Sequence, residues 1–90
     1  MFNVTYHHLV VDDDIPKLPN EWKERVRRAI EERLMTQPDL YGKPLRRSLK
    51  GYRKLRVGDY RIVFRIEKNT VRILIIQHRS VVYQQAEKRI

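Results

Sequence analysis

The spacing of apolar residues changes partway along the chain, and this change limits the fold more than any other feature of the sequence. From Asn20, the expected N-cap, to about Gln37, apolar side chains such as Trp22 recur along one helical stripe, and Pro38 cannot continue the helix. From Leu45 onward the period shortens to two, which is typical of β-strands. A helix followed by a run of strands predicts an α+β fold.

Three strands are predicted in the second half of the chain. The first, around Leu55, ends in a hairpin turn over residues 57–59, the second spans Tyr60–Ile66, and the third spans Val71–Ile76 after a turn at residues 68–69. Side chains alternate along the second strand, so Ile62 should face the core and Arg61 the open face. The third strand is apolar on both faces, which indicates a central position in the sheet.

The remaining segments carry weaker patterns. Residues 2–9 alternate as in a strand, and the alternation continues into Val10 and Val11. Acidic residues ahead of Pro16 predict a short helix or turn over residues 12–18, whereas a glycine and a proline predict a loop over residues 39–44. Ser80 is the candidate cap of a helical tail over residues 80–90.

Together these segments predict a single domain over residues 1–90, with a small, antiparallel, twisted sheet. The sheet combines the N-terminal strand with the three-stranded meander, and helices pack on one face while the other face stays partly open. The absence of cysteine excludes disulfides, zinc–thiolate sites and cysteine nucleophiles. Because the sequence shows no signal-peptide pattern and no apolar run long enough for a bilayer, we expect a soluble, cytoplasmic protein without membrane contact.

Charge is distributed unevenly along the chain. The formal net charge is +9, but residues 1–40 hold 6 basic and 8 acidic side chains, whereas residues 41–90 hold 14 basic and 3 acidic ones. A concentrated positive field favours a polyanionic partner, because each phosphate that is neutralised releases a condensed counterion.

Much of this charge lies in one short segment, in which Asp59 is the only acidic residue. The segment contains eight basic residues: Lys43, Arg46, Arg47, Lys50, Arg53, Lys54, Arg56 and Arg61. A solvated sheet face would explain one or two of them. Eight like charges repel one another, so we interpret the cluster as a phosphate-binding surface.

The segment from Gln77 to Tyr83 adds an imidazole, a guanidinium and a phenol where the last strand ends. Tyr83 could stack on an unpaired base or simply pack, and His78 could act in chemistry or be an ordinary polar residue. A metal site is poorly supported, because His7 and His8 are adjacent and would point to opposite faces of a strand. We therefore expect a cationic cleft without metal or other cofactor.

Several of these stretches resemble the RelE/ParE toxin superfamily. The resemblance is most specific from Leu49 to Phe64, and Pro44-Leu45, His78-Arg79 and Val82-Tyr83 add to it. The first strand and the helical segment stand in the order that the family uses, so the resemblance covers nearly the whole chain. It implies a toxin of a type II toxin–antitoxin system that cleaves messenger RNA in the ribosomal A site. In that family the ribose 2′-hydroxyl attacks the adjacent phosphate without a metal ion, and basic side chains replace the usual acid and base.

The resemblance also implies roles for individual residues. Lys54 matches the family's general base, Arg61 the arginine that stabilises the phosphorane, Arg79 the arginine near the leaving oxygen, and Tyr83 the aromatic that positions a base. From the basic segment, RNA binding is expected of Arg46, Arg47, Lys50, Arg53 and Arg56, and His78 is expected to join them. The resemblance also makes His78 a candidate proton donor. The chain departs from the family at Tyr52, where relatives carry a second lysine that Arg53 or Lys50 could replace.

Three functions remain open at this point. The first is the ribosome-dependent endoribonuclease, controlled by a cognate antitoxin that is a short acidic or amphipathic protein. The second is a ParE-like toxin that inhibits DNA gyrase by binding, in which Arg79 and Tyr83 would have no catalytic use. The third is a non-catalytic RNA-binding protein.

Overall fold

A five-stranded sheet forms the centre of the structure, a computed structural model that describes all residues 1–90. The strands are β1 (Asn3–Tyr6), β2 (Lys43–Pro44), β3 (Arg53–Val57), β4 (Tyr60–Glu67) and β5 (Thr70–His78). Their order in the sheet is β1-β5-β4-β3-β2, with β1 parallel to β5 and the other pairs antiparallel. The predicted meander is confirmed as β3, β4 and β5, and β5 lies inside the sheet as expected.

Helices precede and follow the meander. The first helix, α1, joins a π-helical turn, Val10–Asp14, to a short α-helical one, Ile15–Lys17, and α2 similarly joins Asn20–Ala29 to Ile30–Leu34. The others are α3 (Pro38–Tyr41), a 3₁₀ turn (Arg47–Leu49) and α4 (Val82–Glu87). None of these helices is both long enough and apolar enough to cross a membrane.

The sheet has a core on each face. The larger one buries Ile62 and Phe64 of β4 against α1 and α2, and the smaller one buries Val63 of β4 with Val82 and Ala86 of α4. Strand alternation places Val63 on the opposite face from Ile62 and Phe64. The prediction that all helices pack on one face is therefore wrong, because α4 covers part of the second face.

A β-bulge explains why the second face needs a cover. Across from Val63 and Phe64, the pairing skips Leu74, so that Val63 lies opposite Ile75 and Phe64 opposite Ile73. The extra residue brings Leu74 and Ile75 into the smaller core together instead of letting them alternate. The resulting apolar patch on the second face is what α4 buries.

The prediction of a strand continuing beyond Tyr6 to Val11 is also wrong. The backbone N–H of His7 makes the last bond to β5, at 2.8 Å from the Ile73 carbonyl, and α1 begins at Val10. Val10, Asp14 and Leu18 are all buried at intervals of four, which is a helical stripe with a charged member in its middle. The acidic residue concealed this helical pattern from a reading based on apolar residues.

Other differences concern the sheet and the helix ends. The N-terminal strand pairs in parallel, so the sheet is mixed. The connection through α1, α2 and α3 carries the chain from β1 at one edge of the sheet to β2 at the other, and the strands that follow return across the sheet until β5 lies beside β1. The predicted loop over residues 39–44 instead holds the end of α3 and β2, which pairs as an edge strand with β3. Asn20 is the first residue of α2 rather than its cap, and α4 begins after Val81 rather than at Ser80.

A buried ion pair completes the fold between α1, β5 and the end of the chain. The Arg89 guanidinium donates to both carboxylate oxygens of Asp14, with N–O distances of 2.7 and 2.8 Å. Asp14 also accepts the backbone N–H of Ile76 at 2.9 Å, and Arg89 donates to the Leu74 carbonyl at 3.1 Å. Because β1 ends at Tyr6, these two side chains take over as hydrogen-bond partners along the uncovered edge of β5.

Candidate active site

A shallow depression of about 500 Å³ lies where β3, β4, the end of β5 and the start of α4 meet. It is lined by Lys54, Arg61, His78, Arg79, Ser80 and Tyr83. The four residues expected to be catalytic, Lys54, Arg61, Arg79 and Tyr83, therefore line one concave surface although they come from separate segments. No carboxylate is among the lining residues.

Arg61 is held in place by the hairpin turn between β3 and β4. Its Nη1 donates to the carbonyls of Gly58 and Tyr60, at 2.8 and 2.9 Å. Both N–H groups of Nη1 are thereby engaged, and the donors on Nε and Nη2 have no protein partner. Arg61 thus presents fixed, unused donors to the depression, the arrangement required to bind a phosphate without reorganisation.

Lys54 and Tyr83 face each other across the depression. Leu55 points to the larger core, so its neighbours Lys54 and Arg56 point to the opposite face of the sheet. Arg61 is the cross-strand partner of Arg56 and therefore shares that face with Lys54. The Nζ of Lys54 lies 5.6 Å from the centre of the Tyr83 ring, within reach of a cation–π interaction. Tyr83 in turn packs against the smaller core, so its ring is half-buried and has a restricted orientation.

His78 has a defined tautomer. The backbone N–H of Ser80 donates to Nδ1 at 3.2 Å, and the Ser80 hydroxyl lies 2.9 Å from the same nitrogen. Because an amide can only donate, Nδ1 accepts, and the proton of the neutral ring is assigned to Nε2. The ring also meets Tyr60 edge-on, with centroids 5.6 Å apart, so it is held from both sides.

Arg79 is anchored mainly through its backbone. Its N–H donates to the Asp59 carbonyl at 2.8 Å, and its Nε lies 3.7 Å from the Asp59 carboxylate. Both side chains are well exposed, and an exposed ion pair at this distance contributes little. The Arg79 side chain is therefore free to exchange Asp59 for a phosphate.

The residues expected to bind RNA do not all lie at the depression. His78 does, whereas Arg46, Arg47 and Lys50 are exposed on the connection between β2 and β3 and do not line it. Arg56 lines a separate groove beside α2. Arg53 faces the other way and donates to the carbonyls of Asp39 and Gly42, at 3.3 and 3.1 Å, so it fastens the α3 segment.

Tyr52, the departure from the family pattern, has a packing role. Its ring lies against the smaller core, and the Arg65 guanidinium carbon lies 5.7 Å from the ring centre. Neither Lys50 nor Arg53 occupies the space beside Lys54 in the depression. The missing lysine therefore has no direct replacement there.

Reasoning from the sequence missed two residues at this site. Ser80 was interpreted as a helix cap but fixes His78. Asp59 was interpreted as part of a turn and as the single acidic residue of the basic segment, but it pairs with Arg79. The sequence signal for the contact of Ser80 with His78 was a hydroxyl side chain two residues after a histidine. No group of three or more His, Cys, Asp or Glu side chains is placed to hold a metal ion.

Fold and site together define a class: a small basic α+β domain with a cationic depression on one sheet face and no carboxylate among the residues that line it. Comparison with known proteins agrees with this description. Residues 6–83 match the family model described as the ParE toxin of the type II toxin–antitoxin system parDE.

Two mycobacterial toxins are similar in sequence. Toxin RelG of Mycobacterium tuberculosis is 45% identical over 53 residues, which span 57% of this chain and 61% of RelG. Toxin RelE of the same organism is 34% identical over 73 residues, 79% of this chain and 75% of that protein. The match to RelG thus spans less than two thirds of that relative.

A solved structure from the same organism is similar in fold. A chain of the toxin–antitoxin complex RelBE2 superposes with a TM-score of 0.80 and 35% identity, covering 87% of this chain and 98% of that one. The chain belongs to the RelE/ParE superfamily of type II toxin–antitoxin toxins.

Proposed function

We propose that this protein is a toxin that cleaves messenger RNA as a metal-independent endoribonuclease. The observation that carries the proposal is the convergence of Lys54, Arg61, His78, Arg79 and Tyr83 on one depression without a carboxylate among its lining residues. A phosphodiester is negative and gains further charge in its transition state, which suits a site composed of cations. The sequence likeness to toxins named RelG and RelE points in the same direction.

The reaction that these side chains could perform is an internal transesterification. The ribose 2′-oxygen forms a bond to phosphorus while the bond from phosphorus to the 5′-oxygen of the next nucleotide breaks. The products are a 2′,3′-cyclic phosphate and a free 5′-hydroxyl. One proton must leave the 2′-hydroxyl and one must reach the departing oxygen.

Each lining residue has a role in this scheme. Lys54, in its unprotonated form, takes the proton of the 2′-hydroxyl, and the unused donors of Arg61 bind the phosphorane oxygens. His78, entering the step as an imidazolium, gives its Nε2 proton to the leaving 5′-oxygen and is left neutral. Arg79 gives up its weak contact with Asp59 and lies beside that oxygen. Tyr83 stacks on the base next to the scissile bond and so fixes the sugar near Lys54.

The proposal includes the ribosome and an antitoxin as partners. Messenger RNA in the ribosomal A site is the substrate that the resemblance implies, and the ribosome would hold the RNA strand in an extended form over the shallow depression. The RelBE2 structure is described as a toxin–antitoxin complex, which supports a cognate antitoxin for this chain. An open cationic site is complementary to an acidic or amphipathic segment.

The test is cleavage of a defined message on programmed ribosomes by the purified protein. We expect cuts within the A-site codon that leave a cyclic phosphate and a 5′-hydroxyl end. A parent protein that binds RNA but never cuts on ribosomes would contradict the proposal and favour the non-catalytic RNA-binding function.

Inhibition of DNA gyrase is the second candidate, because the matching family model is described as a ParE toxin. Under this function the depression would bind gyrase or its DNA, and the tautomer of His78 would be irrelevant. A supercoiling assay with purified gyrase separates the two. A protein that blocks supercoiling and does not cleave messenger RNA on programmed ribosomes would be a gyrase inhibitor.

A further inference from the structure

The position of Tyr83 depends on how a very short helix is attached. Helix α4 has six residues, and helices of that length are unstable in water without tertiary contacts. Its buried residues are Val82 and Ala86, both packed in the smaller core. Val82 and Ala86 are small and aliphatic, and contacts of this kind hold a helix against a sheet without fixing its rotation or its position along its axis.

Arg89 supplies the directional contact that the apolar residues lack. It follows Ala86 by three residues, and its backbone N–H donates to the Ala86 carbonyl at 3.0 Å, so it continues the stripe formed by Val82 and Ala86. Its guanidinium makes the two-pronged contact with Asp14 and a third bond to the Leu74 carbonyl. The side chain of Arg89 is 8% exposed and that of Asp14 is 0% exposed, so water does not compete for these bonds.

Asp14 is itself fixed by the sheet. It accepts the Ile76 backbone N–H at 2.9 Å and the Gln77 side-chain amide at 3.0 Å, in addition to the two bonds from Arg89. The pair therefore connects the C-terminal end of α4 to a defined point on β5. Replacing a buried ion pair by apolar residues of similar size is often neutral for stability, so what distinguishes this pair is the direction of its hydrogen bonds, which only one placement of Arg89 on β5 satisfies.

We propose that Arg89, through Asp14, is a positioning residue for Tyr83, holding α4 in the one placement that sets the Tyr83 ring opposite Lys54. The two ends of α4 then have separate roles: Tyr83 near its start lines the depression, and Arg89, just beyond its end, fixes the helix on β5. The inference rests on the proposed function for its effect on cleavage, whereas its structural content is independent of that function.

The experiment compares two double variants with equal changes in charge. Asp14→Asn/Arg89→Met removes the ion pair without leaving a lone buried charge, and the Asn side-chain oxygen can still accept the Ile76 N–H. Asp12→Asn/Lys88→Met makes the same changes in charge at nearby exposed positions and serves as the control. Circular dichroism and thermal melting establish that both chains fold.

Two readouts follow. In chains carrying 3-fluorotyrosine at position 83 alone, the ¹⁹F shift and linewidth report the surroundings of the ring, and we expect them to change in the Asp14/Arg89 variant only. On programmed ribosomes the same variant should lose roughly 100-fold in kcat with KM nearly unchanged, since misplacing a positioning group by about 1 Å costs that much. Adding Tyr83→Ala to it should cost much less than Tyr83→Ala costs in the parent.

The outcomes separate the inference from the function. A parent that does not cleave refutes the proposed function, while the ¹⁹F comparison still tests the placement of Tyr83. An unchanged ¹⁹F signal in a folded Asp14→Asn/Arg89→Met chain would overturn the inference. So would a loss of kcat on adding Tyr83→Ala to that variant as large as the loss that Tyr83→Ala causes in the parent. If the double variant does not fold, Arg89→Lys, which keeps the charge but loses the two-pronged geometry, is measured in its place with the same readouts.

Discussion

The Nζ of Lys54 lies 5.6 Å from the centre of the Tyr83 ring, although Lys54 belongs to the strand β3 and Tyr83 to the helix α4. The contact places the amine that we propose as the general base next to a ring that can stack on a base of the RNA. A nucleotide on Tyr83 would therefore have its sugar near Lys54, and Arg61 on the adjacent strand would be close to its phosphate.

Replacing Arg61 by alanine should reduce cleavage on programmed ribosomes by about 100- to 1,000-fold, because a preorganised donor to a charged transition state is lost. The two bonds from Nη1 to the turn carbonyls are lost as well, at a stability cost of about 1 kcal/mol. Circular dichroism should show a folded chain. Arg72→Ala, an exposed arginine on β5 outside the depression, is the control and should cut like the parent. Equal activity in the two variants would remove Arg61 from the site.

Changes at Tyr83 should separate stacking from proton transfer. Tyr83→Phe keeps the ring and should retain much of the activity, whereas Tyr83→Ala loses stacking of about 1–3 kcal/mol and should lose most of it. Rates on programmed ribosomes, measured beside melting curves for both variants, check this prediction. A phenylalanine variant as inactive as the alanine variant would show that the hydroxyl, and not stacking, is what the reaction needs.

Binding of single-stranded RNA should weaken steeply with salt, by a slope of about 0.7 in the logarithm of affinity for each phosphate contacted. Arg46 and Lys50 are exposed on the connection between β2 and β3, so Arg46→Gln/Lys50→Gln should make the slope shallower. Lys17→Gln/Lys88→Gln removes the same charge from the helices and should leave the slope closer to that of the parent. Fluorescence anisotropy from low to physiological salt measures these slopes, and a flat response in the parent would argue against a phosphate-binding surface.

The stability of the fold should depend on His7 below neutral pH. Burial lowers the pKa of His7 from its ordinary value of 6.5, and the neighbouring His8 and Arg89 lower it further against the opposing effect of Asp14. Below pH 6.5 His7 therefore binds a proton more readily in the unfolded chain than in the folded chain. The free energy of unfolding consequently falls as the pH drops below 6.5. His7→Gln should show a weaker dependence of Tm on pH over this range. Identical curves for the two proteins would contradict the assignment.

Gly58 should tolerate substitution less well than Gly51. Both have positive φ, +58° and +94°, so an alanine at either position costs about 1–2 kcal/mol in backbone strain. A Cβ on Gly58 would also come within 2.3 Å of the Trp22 ring, whereas nothing lies within 4 Å of one on Gly51. Chemical denaturation should therefore show Gly58→Ala to be less stable than Gly51→Ala by about 1–3 kcal/mol. Equal losses would mean that Trp22 moves aside without cost.

Much of the fold followed from local patterns in the sequence. The helical stripe that contains Trp22 and Val26 gave α2, and the period of two around a Gly58-Asp59 turn gave the β3–β4 hairpin and the outward direction of Arg61. Helix periodicity and strand alternation depend on residues close in sequence, so they can be recognised without knowing the rest of the chain. The candidate catalytic residues came from the resemblance of the segment Leu49–Phe64 to a family, not from spacing.

Tertiary structure decided the rest. The parallel placement of β1, the packing of α4 on the second face and the use of Arg53 as a fastener for α3 depend on segments that meet only in the folded chain. The bond between Asp14 and Arg89 is the extreme case, since it joins the two ends of the sequence and each residue alone looks like an ordinary exposed charge. The spacing of charged side chains along a sequence does not indicate which distant residue each will contact. Such a pair becomes favourable only when folding removes both residues from water at the same place.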